Sequence, residues 1–368
     1  MKNALAFLKQ YASPVESTSP KVNNFNIIRF IAAFMVVHGH MSVIMGQPKL
    51  LIVGSYVSTF GVRIFFLISG YLITKSYLSD NHFGRYMIRR TFRIFPALIV
   101  ATLLCVFVLG PVMTTLSLPE YFTSPATWKY FKNLIFNPQY VLPGVFADNV
   151  HTDVVNGSIW TLPIEFAMYL IQPLLVILFK KLGSIKWGMA SCALISLVVS
   201  LCYILSNPRW VFVAHGSNLC EAIPLLPYFF IGSVCSFPEV KKIFNLQLAS
   251  VLMILACFLI VKETVAEVVH LIVIPYFILS LALAERPIFS KWFSKCDFSY
   301  GIYLYGFPNQ QLLWSLLRDT GISILPMTLL SFFVILLVAI ASWYLVEKPM
   351  QKLAQKWIAR IGKKKTAA

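Results

Sequence analysis

The sequence predicts an all-α protein that crosses a membrane many times. Hydrophobic residues make up 58% of the 368 residues and charged residues only 12%, whereas a soluble domain has about 25% charged residues. The apolar residues gather into ten runs, each long enough to cross a hydrocarbon core of about 30 Å. The runs cover residues 27–46, 55–75, 94–115, 159–180, 187–206, 218–236, 246–262, 265–284, 299–317 and 322–346.

The basic residues predict that both termini are cytoplasmic. With the N-terminus inside, most of the 31 lysines and arginines fall on cytoplasmic connections or on the C-terminal tail, as the distribution of positive charge in membrane proteins requires. Topology and the anionic lipid of the inner leaflet then explain the net charge of +17. We expect no nucleic-acid partner, because the chain has no soluble basic face.

The predicted spans divide the chain into three parts. Residues 1–23 are polar and lack the hydrophobic core of a cleavable signal peptide, so we expect a cytoplasmic segment. Residues 24–350 form the transmembrane domain, and residues 351–368 form a basic cytoplasmic tail. The long connection 116–158 is expected outside the cell, and its many aromatic residues predict a folded cap.

Nothing in the sequence indicates a metal site. The seven cysteines lie mostly in apolar runs, as small buried side chains do, and lack the short spacing of zinc ligands. Asp148, His151 and Asp153 carry groups that can ligate metals. Without a ligand-spacing pattern they are interpreted as part of a solvated loop.

Two ionisable side chains share one face of the first predicted span. Arg29 and His40 are eleven residues apart, which at about 100° per residue is three turns plus roughly 20°. His38 lies on the opposite face and is expected to have a structural role. Ionisable groups inside membranes mainly face a bundle interior or a water-filled cavity. His40 is therefore the first candidate for chemistry.

Two further charged residues lie at about the depth of His40. Glu165 is about six residues from the outer end of the fourth span, and Arg63 is about eight residues into the second. An isolated carboxylate or imidazole is costly at this depth, whereas a pair is less so. We therefore expect His40, Glu165 and Arg63 to form one polar cluster beneath the outer cap.

Several segments resemble, in order, the motifs of one known family. They are Arg29-x10-His40, residues 60–73, the Arg-x-x-Arg segment 89–96, the Trp-to-Glu segment 156–165, and the late segments 299–305 and 345–349. These are similar to motifs of the integral-membrane acyltransferase family 3, bacterial proteins that typically O-acetylate cell-surface glycans. Members often have an acidic residue where Arg63 stands and a histidine where Gly306 stands, which bears on substrate more than on reaction.

Three roles are open for His40. As a general base it would take the proton of the acceptor hydroxyl, and a neighbouring Glu165 would orient the ring. As a nucleophile it would carry the acyl group as an acyl-imidazole. As a structural residue it would only pair with Glu165 to hold helices together, although buried ion pairs stabilise proteins poorly.

Arginines on the cytoplasmic side predict an anion site. Arg89, Arg90 and Arg93 follow the second span, and Arg29 lies near the inner end of the first. Guanidinium groups suit phosphate oxygens, and acyl-CoA is a phosphate-bearing donor made inside the cell. We expect these arginines to bind acyl-CoA, most simply acetyl-CoA. The competing explanation is that they only reflect positive-inside topology.

Weaker signals mark side chains that could line a substrate path. They are Ser69, Tyr71, Asn156, Ser158, Trp160, Tyr300 and Tyr303. Each has a simpler explanation, such as close helix packing for Ser69-Gly70 or interface anchoring for Trp160, Tyr300 and Tyr303. Glu347-Lys348-Pro349 is interpreted as a helix stop, because proline interrupts helical hydrogen bonding.

The function that the resemblance and these residues favour is O-acyl transfer. The donor would be cytoplasmic acyl-CoA, and the acceptor a hydroxyl of a cell-surface or lipid-linked glycan at a bacterial inner membrane. The first alternative is a transporter or flippase, since many helices around a buried ionisable cluster also describe that class. Against it, the sequence has no visible inverted repeat. A non-catalytic membrane partner would leave His40 and Glu165 without a purpose.

Overall fold

The computed structural model describes residues 23–206, 211–259, 263–284, 293 and 296–366. Most of the predicted cytoplasmic segment 1–23 lies outside these residues. So do five basic residues used to predict orientation: Arg209, Lys262, Arg286, Lys291 and Lys295. The described part is mostly helical, with only two short two-stranded antiparallel hairpins, β1–β2 (Leu51–Ile52, Ser55–Tyr56) and β3–β4 (Val213–Ala214, Ser217–Asn218).

A helix occupies each of the ten predicted apolar runs, and short helices lie between them. In chain order the helices are α1 Phe25–Ile44, α2 Val57–Ser79, α3 Phe83–Leu104, α4 Leu118–Thr123, α5 Pro125–Lys129, α6 Thr161–Lys181, α7 Ile185–Ser206, α8 Leu226–Cys235, α9 Leu246–Leu259, α10 Glu263–Ala282, α11 Ser299–Leu317, α12 Ile324–Ser342 and α13 Lys348–Thr366. A π-turn, Cys105–Leu109, extends α3 toward Met113, and a 3₁₀ turn, Gly157–Trp160, precedes α6.

Six helices of the described residues are long and apolar enough to cross a membrane. They run over Phe25–Ile44, Val57–Ser79, Phe83–Met113, Gly157–Lys181, Ile185–Ser206 and Ile324–Ile361. Their outward faces carry large apolar side chains such as Val108, Leu194 and Phe333, each about half exposed or more. Such surfaces suit contact with lipid, because a soluble monomer seldom exposes this much continuous apolar area.

The third helix begins earlier than the sequence predicted. It starts at Phe83 instead of residue 94, so Arg89, Arg90 and Arg93 stand on α3 and not in a connection. The connection itself is only Asp80–His82, and the His82 side chain accepts a hydrogen bond from the backbone N–H of Arg85. The prediction was wrong because hydropathy underweights a helix start rich in arginine. Here Arg85 and Arg89 pair with Asp80, and Arg93 pairs with Asp297 and Glu347.

The prediction of a helix stop at Glu347-Lys348-Pro349 was also wrong. A π-turn, Trp343–Glu347, joins α12 to α13 without a break. A π-turn shifts the hydrogen-bond pattern by one residue, and Pro349 lies in the turn directly after it. The missing N–H of Pro349 is then tolerated as at the start of a helix, and the tail predicted at 351–368 continues as a helix to Thr366.

The segment 116–158, which is predicted to lie outside the cell and is here called the outer segment, is folded. After α4 and α5 comes a 3₁₀ helix, Tyr130–Ile135, and buried Tyr121, Tyr130 and Phe146 form an aromatic cluster with the end of the α3 extension. Tyr121 donates a hydrogen bond of 3.0 Å to the carbonyl of Val106. The aromatic residues that predicted a folded cap are therefore the core of this segment.

The backbones of α2 and α8 are in close contact at the centre of the bundle. A Cβ on Gly70 would lie 1.9 Å from the carbonyl oxygen of Phe229, and one on Gly232 would lie 2.1 Å from that of Leu67. Only glycine allows two helix backbones to approach this closely. The packing role expected for Ser69-Gly70 is thus fulfilled by Gly70, which leaves Ser69 facing a cavity.

Candidate active site

A chain of ion pairs joins four elements at one end of the bundle. Arg29 on α1 and Arg93 on α3 each lie 2.7 Å from Asp297 Oδ2, just before α11. Arg93 also lies 3.2 Å from Oε2 of Glu347, which is almost fully buried. Each of the two guanidinium groups has a carboxylate partner, which makes burial of these groups tolerable.

Asp297 keeps its negative charge in this network. Burial alone raises the pKa of its carboxyl, but Arg29, Arg93 and hydrogen bonds from Ser299 outweigh burial and lower the pKa to about 2. The Ser299 hydroxyl donates to Asp297 Oδ1 at 2.5 Å. Asp297 therefore holds both arginines in place at the start of α11.

The first of two cavities, here called the inner cavity, is lined by the predicted arginines. It spans about 810 Å³ including space open to solvent, and Arg29, Arg89, Arg90 and Arg93 all contribute to its wall, together with Gln351 of α13. No acidic side chain of the described residues lines it. A cavity with several guanidinium groups and no carboxylate in its wall is suited to an anion.

Contacts with other segments hold Arg89 and Arg90 of α3 in place. Asp80 accepts hydrogen bonds from Arg85 at 2.5 Å and from Arg89 at 3.0 Å. Arg90 donates to the Ser76 hydroxyl at 3.1 Å, and its guanidinium lies over the rings of Tyr86 and Tyr169 at 5.5 and 5.7 Å. Because these contacts use only some N–H groups of each guanidinium, the remaining N–H groups are available to a ligand.

The second cavity, here called the central cavity, adjoins the first. It spans about 630 Å³ including space open to solvent, and Arg29, Ser69, Arg93 and Tyr169 line both cavities. From these shared residues the central cavity extends along α6 and α11 to Thr161, Glu165 and Tyr303. Its wall is mostly apolar away from these groups, as in a site that receives an organic ligand.

The predicted cluster of His40, Glu165 and Arg63 is wrong. Glu165 accepts a hydrogen bond from Tyr169 and lines the central cavity. Arg63 donates to Ser55 at 3.3 Å and lies 2.7 Å from His270 Nδ1. Matched depth did not bring the three together, because their side chains leave their helices toward different neighbours.

His40 instead lies beside a histidine of the outer segment. Its ring packs edge-on against Phe307 with centroids 5.2 Å apart, and His151 packs on the same ring at 5.9 Å. The two imidazoles are close enough to interact electrostatically. His38, on the other face of α1, lies 3.1 Å from the Thr328 hydroxyl. The division of roles between His40 and His38 remains a prediction.

One turn of α11 separates His40 from the end of the central cavity. Tyr303 and Phe307 are four residues apart, about 6 Å along the axis. The Tyr303 hydroxyl is bonded to Thr161 at 2.6 Å and to the carbonyl of Ser158 at 2.8 Å. Tyr303 thus closes the central cavity, and Phe307, packed against Gly157, stands between that closure and His40.

Comparison with known proteins identifies the kind of enzyme to which this architecture belongs. A model of the acyltransferase domain family matches residues 22–347. The chain belongs to this family. It is an O-acyltransferase and, with its six long apolar helices, a multi-pass membrane protein.

Three curated relatives span most of the chain. An O-acetyl transferase of Shigella phage Sf6 is 30% identical over 89% of this chain and 96% of its own length. Nodulation protein 10 of Rhizobium leguminosarum bv. viciae is 28% identical over 94% of this chain and 97% of its own. Peptidoglycan O-acetyltransferase OatA of Listeria monocytogenes is 23% identical over 79% of this chain and 51% of its own. No solved structure matches significantly.

The remaining predicted residues of the acyltransferase have mainly structural contacts. Asn156 caps the 3₁₀ turn before α6 and donates to the Leu304 carbonyl at 3.0 Å, and Ser158 donates to that of Tyr303 at 3.1 Å. Tyr300 donates to the Ile94 carbonyl at 2.9 Å while its ring lines the central cavity. Trp160 is half-buried against the core. The hydroxyl of buried Tyr71 has no hydrogen-bond partner in the described part of the chain.

Sequence reasoning missed three residues of the acyltransferase site. Asp297 was not singled out, although it stands two residues before a matching motif. Glu347 was interpreted only as part of a helix stop. His151 was assigned to a solvated loop together with Asp148 and Asp153. Those two residues are exposed, whereas His151 is half-buried and burial lowers the pKa of its imidazole. The available signal for Asp297 was that it is the one acidic residue between Glu285 and Asp319 in the sequence.

Proposed function

We propose that the chain transfers an acyl group, most simply acetyl, from acyl-CoA to a hydroxyl of a glycan. The observation that carries the proposal is that the inner and central cavities adjoin each other and share four wall residues, Arg29, Ser69, Arg93 and Tyr169. In this proposal the phosphates of the donor bind Arg89 and Arg90, and its pantetheine arm extends past the shared residues.

The thioester would then lie in the central cavity below Tyr303. The path from Arg29 to the level of His40 is about 16 Å by helix rise, comparable to a pantetheine chain. Asp297 positions Arg29 and Arg93 on either side of the path. Glu165, bonded to Tyr169, provides a carboxylate in the wall, so we assign it a role at the donor end of the path and not as the partner of His40.

His40 is proposed as the group that reacts with the acceptor. As a general base it takes the proton of the sugar hydroxyl while the oxygen attacks the thioester carbonyl; the C–S bond breaks and the CoA thiolate accepts the proton. As an acyl carrier, its ring nitrogen attacks the thioester first; the C–S bond breaks and CoA leaves as the thiolate. The acceptor hydroxyl then attacks the acyl-imidazole, the N–C bond breaks to release the ring, and the hydroxyl proton neutralises the CoA thiolate. Both routes require Tyr303 and Phe307 to move aside, since they separate His40 from the central cavity.

The acceptor and topology are also proposals. A peptidoglycan O-acetyltransferase among the relatives supports a glycan acceptor at the cell surface. The helices in the ten predicted runs support ten spans. The distribution of basic residues supports cytoplasmic termini, with segment 116–158 outside, and we propose the inner membrane of a bacterium. The inner cavity then faces the cytoplasm, where acyl-CoA is made.

Transfer of label separates this proposal from transport. Purified protein in nanodiscs would be given acetyl-CoA labelled in the acetyl group together with isolated surface glycan. The proposal expects labelled ester on the glycan and free CoA in equal amounts. A transporter would release no CoA, and CoA release without labelled glycan would place the acceptor in another class.

A further inference from the structure

Helix α13 forms one wall of the inner cavity although it follows the family match, which ends at residue 347. Gln351, Ala354 and Gln355 line the cavity. Positions three and four residues apart share one face of a helix, so this face of α13 is turned toward the arginines of α3. The opposite face carries exposed Lys352 and Lys356.

Two contacts fix α13 against α3. At its start, Glu347 is paired with Arg93 at 3.2 Å. Further along, the rings of Trp357 and Phe92 pack edge-on with centroids 5.3 Å apart. Gln351 is one helical turn beyond Glu347 and lies between the two contacts. Its position is therefore set by tertiary packing on both sides and not by a free helix end.

The wall of the inner cavity has a surplus of buried donors. Arg89 Nε and Nη2, Arg90 Nε and Gln351 Nε2 are buried and have no acceptor in the described part of the chain. Leaving such a buried donor without an acceptor destabilises the protein. All four belong to side chains that line one cavity. A ligand with several anionic oxygens would satisfy them together.

We infer that Gln351 is a donor-binding residue that, with Arg89 and Arg90, hydrogen-bonds phosphate oxygens of acyl-CoA. This inference rests on the proposed function. The amide adds a directed N–H without another positive charge, so it contributes specificity for oxygen position more than long-range attraction. The C-terminal helix, on the cytoplasmic side, is then part of the donor site.

The test measures equilibrium binding of CoA and of pantetheine, which lacks the nucleotide phosphates, to the full-length protein in phosphatidylcholine nanodiscs. Gln351→Leu should weaken CoA binding about tenfold, the value of one hydrogen bond to a charged group, and leave pantetheine binding unchanged. Lys352→Gln is the matched control, because it removes a charge from the other face of α13; it should change neither.

Three results would overturn the inference. Equal weakening of CoA and pantetheine would mean that the variant disturbs the cavity as a whole. If CoA binding were unchanged in Gln351→Leu but weakened in Arg90→Gln, the arginines would bind the donor without Gln351. Unchanged binding in both variants would instead refute the proposed donor site itself.

Anionic lipid headgroups offer the same phosphate oxygens, so the measurement is repeated in nanodiscs containing phosphatidylglycerol. The inference predicts that Gln351→Leu weakens CoA binding in both kinds of nanodisc. An effect confined to the phosphatidylglycerol discs would assign the donors of the inner cavity to lipid and overturn the inference.

Discussion

Arg29 Nη1 lies 2.7 Å from Asp297 Oδ2, although 268 residues separate the two in sequence. The same oxygen is 2.7 Å from Arg93 Nη2. One carboxylate therefore joins α1, α3 and the start of α11 at the point where the inner and central cavities meet. It holds the two guanidinium groups that both cavities share.

Removing the charge of Asp297 should destabilise the protein. Asp297→Asn would leave Arg29 and Arg93 with Glu347 as the remaining acid in their network, and a broken buried ion pair typically costs about 3–5 kcal/mol. We expect a clearly lower unfolding temperature in detergent. Asp153→Asn, at an exposed position of the outer segment, is the control. Equal unfolding temperatures for the parent protein, Asp297→Asn and Asp153→Asn would show that Asp297 does not stabilise the fold.

His40→Ala should reduce acyl transfer by at least roughly 10²-fold, the usual contribution of a general acid or base, without affecting folding. His38→Ala is the matched control, two residues away on the same helix. Because His38 contacts Thr328 on the opposite face, its loss should lower stability and preserve the rate. Retention of transfer by folded His40→Ala would remove this residue from the reaction.

His151 should contribute to the rate through its ring nitrogens. His151→Leu keeps an apolar contact with Phe307 and loses the nitrogens, so we expect about tenfold slower transfer by analogy with other single polar contacts at charged transition states. His215→Leu, at an exposed outer position, should transfer at the normal rate. If His151→Leu were as active as the parent while His151→Ala was not, the ring would serve only in packing.

Acid should weaken the connection between α2 and α3. Hydrogen bonds from Arg85 and Arg89 outweigh burial and lower the pKa of Asp80 from 3.8 to about 2. A carboxylate with a lowered pKa stabilises the folded state fully above its unfolded pKa, and this stabilisation disappears as the pH falls through its folded pKa. The stability difference between the parent and Asp80→Asn should therefore shrink between pH 3.8 and about 2. A difference independent of pH would contradict this assignment.

Gly70→Ala should disrupt the crossing of α2 and α8. The added methyl would lie 1.9 Å from the Phe229 carbonyl oxygen, and overpacking typically costs about 1–3 kcal/mol. Gly306→Ala is the control, since its methyl would meet only Val37 at an ordinary 3.6 Å; it should be neutral or slightly stabilising. Thermal unfolding measures the stability of both variants, and equal unfolding temperatures would argue against a tight crossing of α2 and α8.

The amino-acid sequence alone determined the class of the protein and the identity of several site residues. Long apolar runs have few stable alternatives to helices in a membrane, so each predicted run contains a helix. The arginines of α3 and Arg29 were identified because charge is rare in such a chain, and the structure places all four on one cavity. Their motif spacing also led to the correct enzyme class.

Only the tertiary structure decided which charged groups meet. Depth along a helix predicts the level of a side chain but not its direction relative to other helices, so Glu165 is bonded to Tyr169 and not to His40. Likewise, Asp297 and Glu347 gain their importance from Arg93, more than 200 residues away in sequence. Local patterns fix periodicity and burial, whereas ion pairs between distant segments depend on how the helices pack around one another.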